Sequence, residues 1–281
     1  MVGLYLADLA APVNWSPALS VSTIDRRLSC LVWNHAQRGF PLDRKNRRIA
    51  TVLAEVKRKH APPPVQKEAI QAEDISAMIA TLPHDLRVLR DCAILLIGYA
   101  GGLRRSEIVG LDHNRDGIPD SGGWIEIGDD GAILFLRGKT GWREVEIGRG
   151  TSVQTCPVHE LEPWLHFARI DGGPLFRRTT RENNRALDAR LSDNHVARLI
   201  KQTVLDAGIR SQLPEKNRLA LFSGHSLRAG LASSADVDER YIQKQLDHAF
   251  AEMTRRYQRR RDTFRGNLTK AAGLCSLRDR L

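Results

Sequence analysis

Histidine and arginine are the residues of this chain whose types and spacing could do chemistry. Five of the nine histidines are followed three residues later by arginine: His35/Arg38, His84/Arg87, His166/Arg169, His195/Arg198 and His225/Arg228. With arginine near one residue in eight, about one such pair is expected by chance, and pairing on helix surfaces at that spacing adds more. The pair alone therefore says nothing. His225/Arg228 differs in its surroundings, Ser223-Gly-His-Ser-Leu-Arg-Ala-Gly230. A helix starting near Ser226 would put orphan backbone N–H groups and the positive end of the dipole beside both side chains, a setting that favours an anion. A second tempting set, Asp112-His-Asn-Arg-Asp-Gly117-Ile-Pro-Asp120, copies the spacing that opens a calcium loop. Gly123 stands where that loop needs a bidentate glutamate, and Asp, Asn, Gly and Pro are also what a surface turn uses. No CxxC pair, Mg²⁺-carboxylate pattern or P-loop is present, so no metal and no cofactor is expected.

The overall charge points to the same kind of ligand. The 281 residues carry 43 Lys+Arg against 33 Asp+Glu, a net of +10, and only nine of the 43 are lysine. The planar fork of arginine matches phosphate oxygens, so nucleic acid is the first partner to consider. Residues 1–64 hold ten basic and four acidic residues, a net of +6. That segment reads either as a DNA-facing module or as a solvated helical surface. The opening Met1-Val-Gly-Leu-Tyr-Leu-Ala-Asp8 lacks a positive n-region, and the longest later apolar run, Cys92 to Ala100, is far shorter than the roughly 20 residues of a membrane span. No membrane association is expected. Four scattered cysteines fit a reducing cytoplasm, with nucleoid association when bound to DNA.

The elements that must position these residues follow from periodicity. Val21, Ile24, Leu28, Leu31 and Val32 mark a helix that Gly39-Phe-Pro ends, and Ile49, Val52, Leu53 and Val56 mark a second from about Asp43. The Ala61-Pro-Pro-Pro64 stretch cannot continue a helix. It separates a helical domain, residues 1–61, from a linker at 62–68 and a larger domain at 69–281. In the latter, Ala72–Leu82 and Leu86–Ala100 are helical, and the period changes to two over Trp124–Ile127, Ile133–Leu136 and Trp142–Ile147. Helical patterns resume at His159–Phe167, His195–Ala207, Ser226–Ala235, Glu239–Leu246 and Ala251–Arg261. The fold class expected is mainly α with a small antiparallel sheet, an α+β domain behind a helical N-terminal one.

Four segments, Gly101-Gly-Leu-Arg-Arg-Ser-Glu-Ile-Val-Gly-Leu111, the hairpin lysine in Arg137-Gly-Lys-Thr-Gly141, Gly224-His-Ser-Leu-Arg-Ala-Gly230 and Leu246-Asp-His-Ala-Phe-Ala-Glu-Met-Thr-Arg-Arg-Tyr257, occur in one order. In that order and spacing the chain resembles the tyrosine recombinase (phage integrase) family over essentially its whole length. The basic segment before the triple proline resembles that family's core-binding domain. The resemblance implies a site-specific DNA recombinase or integrase, acting without metal or ATP, as a homotetramer on double-stranded DNA with accessory DNA-bending or directionality proteins. It implies Arg104 as the first catalytic arginine with Glu107 buttressing it, Lys139 as the mobile lysine, His225 and Arg228 as the second basic pair, His248 as the third-motif histidine and Tyr257 as the nucleophile. Arg26, Arg27, Arg44, Lys45 and Arg48 in the first domain, and Arg255, Arg256 and Arg259 around Tyr257, are the expected DNA-backbone contacts.

Those residue types suit phosphoryl transfer. Attack by a tyrosine oxygen builds negative charge on the nonbridging oxygens, which guanidinium forks can hold. A neighbouring base must take the tyrosine proton, and an acid must protonate the leaving 5′ oxygen. Departures from the family pattern are Asp247 before His248, where glycine is usual, and a slightly short interval between Arg228 and His248. A carboxylate at 247 either hydrogen-bonds locally or raises the pKa of His248. The chain begins inside what resembles the first core-binding helix, which implies that this domain is N-terminally incomplete. Two other readings stay open: a type IB topoisomerase-like relaxing enzyme, and a DNA-binding relative that keeps the fold without cleaving.

Overall fold

A computed structural model describes residues 1–11, 17–62, 67–115, 121–138, 141–235 and 238–246. The chain divides into two units, Met1–Val65 and Gln66–Leu281. The expected helix at 251–261 lies outside the described residues.

Among the described residues the first unit has three helices, α1 (Val2–Ala10), α2 (Val21–Gln37) and α3 (Arg47–His60). Ser20 caps α2, its hydroxyl accepting the Thr23 N–H, and the Asn46 side chain accepts the Arg48 N–H at the start of α3. Leu6 and Ala10 of α1 bury against Ile24 and Leu28 of α2 and Ile49, Leu53 and Val56 of α3. The opening segment, which lacks the features of a signal peptide, is thus the third wall of this core. Lys57, Arg58, Lys59 and His60 occupy the last turn of α3, where the helix dipole favours cations.

The second unit is mainly helical with a small sheet. Its helices are α4 (Ala72–Ala80), α5 (Leu86–Ala100), α6 (Arg105–Gly110), α7 (Pro157–Ala168), α8 (Asp193–Asp206), α9 (Glu215–Leu221), α10 (His225–Ser234) and α11 (Glu239–Leu246). The strands read from the alternation are present as β2 (Gly123–Ile127), β3 (Gly131–Arg137) and β4 (Trp142–Gly148), an antiparallel meander. β1 (Leu111–His113) extends it by pairing in parallel with β2, and β5 (Gly173–Pro174) closes the other side of β1, giving the order β4-β3-β2-β1-β5. β6 (Arg177–Thr179) and β7 (Ala186–Arg190) form a separate hairpin. Helix α5 is the axis of the core: Cys92 through Gly98 are buried without interruption. Leu134, Leu136, Val145 and Ile147 supply the sheet's inner face. On its outer face Trp124 stacks on Phe135, ring centroids 4.6 Å apart, with Trp142 against Trp124 at 5.3 Å. Such cross-strand aromatic pairs fix register. Among the described residues no helix is long and apolar enough to cross a membrane.

Candidate active site

Glycine chemistry at the end of α5 sets the position of Arg104. The Gly102 N–H donates to the Tyr99 carbonyl and the Leu103 N–H to the Gly98 carbonyl, both at 3.0 Å, with Gly102 at φ +56°. This is a Schellman close, and it needs a residue free to adopt the left-handed region. A Cβ on Gly102 would also lie 2.4 Å from Leu246 Cδ2. Leu103 then buries completely, and Arg104 follows in extended conformation as the residue that begins α6. Glu107, one turn into α6, accepts the Arg104 backbone N–H at 2.8 Å through one oxygen and Arg104 Nη1 at 2.5 Å through the other. Local folding thus aims the guanidinium, which remains 39% exposed.

A further group completes this arrangement. Arg143, on β4, donates Nη2 to the same Glu107 carboxylate at 3.1 Å and Nη1 to the Gln245 carbonyl at 2.7 Å. Burial pushes the Glu107 carboxyl upward, but the Arg104 backbone N–H and the charges of Arg143 and Arg104 outweigh it and hold it below the ordinary carboxylate range. The sequence reading missed Arg143. Its signal was the phase of the β4 alternation, which puts residue 143 on the same side as the buried Val145 and Ile147; an arginine on an inward row needs a partner.

Helix α10 brings the second pair. His225 is its first residue and is exposed, while Arg228, one turn on, is only 2% exposed. Arg228 Nη1 donates to the Gly102 carbonyl at 2.7 Å and Nη2 to the Leu246 carbonyl. It therefore ties the turn before Arg104 to the C-terminal end of α11. Partial desolvation, then the charges of Arg228, Arg104 and Arg105, push the His225 pKa down, against a weaker pull from Glu107. An uncharged imidazole beside three arginines can accept a proton. Gly230 of α10 lies against the chain at Ile70, where a Cβ would come within 1.9 Å of the carbonyl oxygen, so the helix carrying His225 and Arg228 is pinned from behind.

The structure thus gathers Arg104, Glu107, His225 and Arg228. Lys139, His248, Tyr257, Arg255, Arg256 and Arg259 lie outside the described residues. On either side of Lys139, the Gly138 N–H donates to the Gly141 carbonyl at 2.8 Å, closing the turn between β3 and β4. Asp112, the first residue of the calcium-like spacing, is a buried β1 residue whose carboxylate takes Arg190 Nη2 at 2.5 Å. In the first unit Arg26, Arg27, Lys45 and Arg48 are exposed. Arg44 is spent on Asp25, at 2.8 Å, and Ser29. A second basic concavity of about 330 Å³, lined by Arg87, Arg178, Arg181 and Arg198, opens beside the buried Arg90 and Asp91. The sequence reading did not single it out, because its arginines come from α5, the β6–β7 hairpin and α8.

Comparison with known proteins gives the chain its class. A model of the phage integrase family matches residues 68–263, and the chain belongs to that family. It is similar to an integrase/recombinase XerD homolog of Selenomonas ruminantium, 28% identical over 275 residues that cover 94% of this chain and 74% of that protein. It is also similar to the tyrosine recombinase XerC of Ralstonia pickettii, 27% identical over 68% of this chain and 56% of that one, so it spans little more than half the length of that relative. Among solved structures the fold is similar to XerH site-specific recombinase bound to palindromic difH substrate, TM-score 0.61 at 17% identity, covering 97% of this chain and 72% of that one. It is similar too to the Tn1549 transposon integrase with a circular intermediate DNA, TM-score 0.53 at 15% identity, covering 98% and 84%.

Proposed function

We propose that this protein is a site-specific DNA recombinase that cleaves and rejoins strands through a 3′-phosphotyrosyl intermediate. The observation that carries the reading is the convergence of Arg104 with the His225/Arg228 pair, which lies far along the sequence from it, on one carboxylate-braced cluster. In the reaction the Tyr257 oxygen attacks a DNA phosphorus and His225 takes the phenolic proton. Arg104 and Arg228 hold the nonbridging oxygens as their charge grows, and His248 donates a further hydrogen bond. Lys139 gives a proton to the departing 5′ oxygen, leaving a 3′-phosphotyrosyl bond and a free 5′ hydroxyl. Attack by a 5′ hydroxyl on that bond reverses the steps and rejoins the strand. Neither a metal nor ATP enters the balance.

The DNA is held by charge. Arg26, Arg27, Lys45 and Arg48 of the first unit, with Arg44 as a weaker member, contact the phosphate backbone, as do Arg255, Arg256 and Arg259 around the nucleophile. The concavity at Arg87, Arg178, Arg181 and Arg198 adds a third basic surface. The active assembly is a homotetramer on two duplex sites, with accessory DNA-bending proteins setting direction.

The test uses labelled duplexes, each with a nick that traps the cleaved strand, tiled across the DNA on both sides of the coding gene and supplemented with a random-sequence pool. A covalent adduct that survives denaturant is expected on a subset of tiles, and Tyr257→Phe abolishes it. Absence of adduct on every tile and throughout the pool overturns the reading. Adduct on all DNA alike, with relaxation of supercoiled plasmid, replaces site-specific recombination by a topoisomerase-like activity.

A further inference from the structure

We infer that Arg143 is a positioning residue for the strand-cleaving reaction, coupling β4 to both Arg104 and the C-terminal end of α11. The inference rests on the function proposed above and goes beyond it. Five contacts define the coupling. Arg143 Nη2 reaches Glu107, which aims Arg104. Arg143 Nη1 reaches the Gln245 carbonyl, and Arg228 Nη2 reaches the next carbonyl along, that of Leu246. The Gln245 amide returns to the Glu146 carbonyl of β4 at 3.2 Å and the Ala100 carbonyl of α5 at 3.4 Å. Two arginines thus grip the last two carbonyls of α11, where orphan acceptors and the negative end of the dipole favour cations. His248 lies two residues beyond Leu246 and Lys139 four residues before Arg143. A single guanidinium therefore ties together the strand leading from Lys139, the brace of Arg104 and the helix leading to His248 and Tyr257.

Among the described residues of the cluster, Arg143 alone joins Glu107 to α11. Arg104 keeps 39% of its side chain exposed, whereas Arg143, 11% exposed, spends both Nη groups on protein; Arg228 does so too, but toward the Gly102 and Leu246 carbonyls and not toward Glu107. Its Nε is buried with no partner among the described residues, so the two Nη contacts carry its orientation. A lysine has one point of charge and cannot span both acceptors with a planar fork.

The groups facing Glu107 are Arg104 at the start of α6, Arg143 on β4 and His225 on α10. Loss of Arg143 removes one of the charges that hold the carboxyl down, so Glu107 takes up a proton at higher pH and releases Arg104 there.

The experiment compares wild type, Arg143→Met and Arg143→Lys in the full chain on the nicked duplex that gives most adduct with wild type. Arg143→Met is expected to lower the adduct-forming rate constant roughly 100-fold, as misplacement by about 1 Å does, with DNA affinity unchanged. The acid limb of its pH–rate profile should move to higher pH, and Arg143→Lys should recover part of the rate. In DNA-free protein, amide exchange over residues 239–246 should be faster in Arg143→Met. A rate for Arg143→Met equal to wild type, a loss matched by equally weaker DNA binding, or an unmoved acid limb overturns the inference. If Arg143→Met does not fold, Arg143→Lys is read by the same criteria, and a lysine variant equal to wild type in rate and acid limb overturns it. If wild type forms no adduct on any DNA, the proposed function fails first; the exchange measurement still stands, and unchanged exchange removes the clamp itself.

Discussion

Two arginine-bearing regions of this molecule use the same side chain in opposite ways. On the first unit, Arg26, Arg27 and Arg48 stand on helix surfaces with their charge in solvent. In the second, Arg228 is buried, Arg143 nearly so, and each has donors fixed on named carbonyls or carboxylates. A solvated arginine attracts a phosphate from a distance and tolerates displacement by an ångström, because its energy falls slowly with separation and is screened by salt. A desolvated arginine with a fixed fork acts at one position, and its value lies in not having to reorganise when charge develops. Under the proposed function, the first region holds DNA and the second acts on the transition state.

The contrast breaks first at Arg228. Replacing it with alanine should lower adduct formation by about 10²–10³-fold, the cost of losing one preorganised donor to a developing charge. Chemical denaturation should also find the protein less stable by about 3 kcal/mol, because the Gly102 and Leu246 carbonyls lose a buried charged partner. A variant with normal stability and normal cleavage would place Arg228 with the solvated arginines. Gly230→Ala tests the backing of the same helix. Its Cβ would meet the Ile70 carbonyl, a backbone atom that cannot swing aside, so a loss of about 3 kcal/mol or more is expected by the same measurement. The solvated region should respond differently. Arg27→Ala should leave stability within about 0.5 kcal/mol. It should lower the slope of log binding constant against log salt by about one phosphate contact, with the cleavage rate of bound DNA unchanged. A change in that rate would show that the first unit does more than hold.

How much of this was legible beforehand depended on period and reach. Helices α2, α3 and α5 and the β2–β4 meander span enough residues to display a repeat, and α11 was read at Glu239–Leu246, where it lies. Helices α6 and α9, six and seven residues long, and the two- and three-residue strands β1, β5 and β6 are too short to show one, and β7, Ala-Leu-Asp-Ala-Arg, has no apolar alternation. The parallel partner of β1 is chosen by the packing of Gly110 on Gly122, with their Cα regions in near contact, which no local pattern encodes. In the candidate site, Arg104, Glu107, His225 and Arg228 were singled out beforehand because their neighbours form recognisable strings. Arg143 has no such string. Its role arises from meeting α6 and α11 in space, and the inward phase of β4 was its one trace. The Asp112 spacing pointed elsewhere because a short oxygen-rich run is silent about which oxygen is already held, here by Arg190.

The smallest effect expected is electrostatic and concerns His225. Burial and the surrounding arginines push its pKa below the ordinary 6.5. Above that value the imidazole is neutral in both folded and unfolded chains and contributes nothing to the pH dependence. As pH falls through 6.5 the unfolded chain takes up the proton first, so stability is lost from there down to the folded pKa. Glu107, whose carboxyl is held below its ordinary 4.5, acts in a separate and lower window: the stability it contributes is present above 4.5 and is lost as pH falls through its folded value. Unfolding free energies measured from pH 7.5 to 5 should therefore decline less steeply in His225→Gln than in wild type, with no difference at the alkaline end. An identical decline would mean that the arginine cluster does not reach the imidazole. A phosphate in the cluster would partly neutralise the arginines and raise the His225 pKa, so duplex DNA should flatten the wild-type slope toward that of the variant. The arginines that hold His225 neutral would then oppose its protonation less, and the substrate phosphate itself would favour the protonated form.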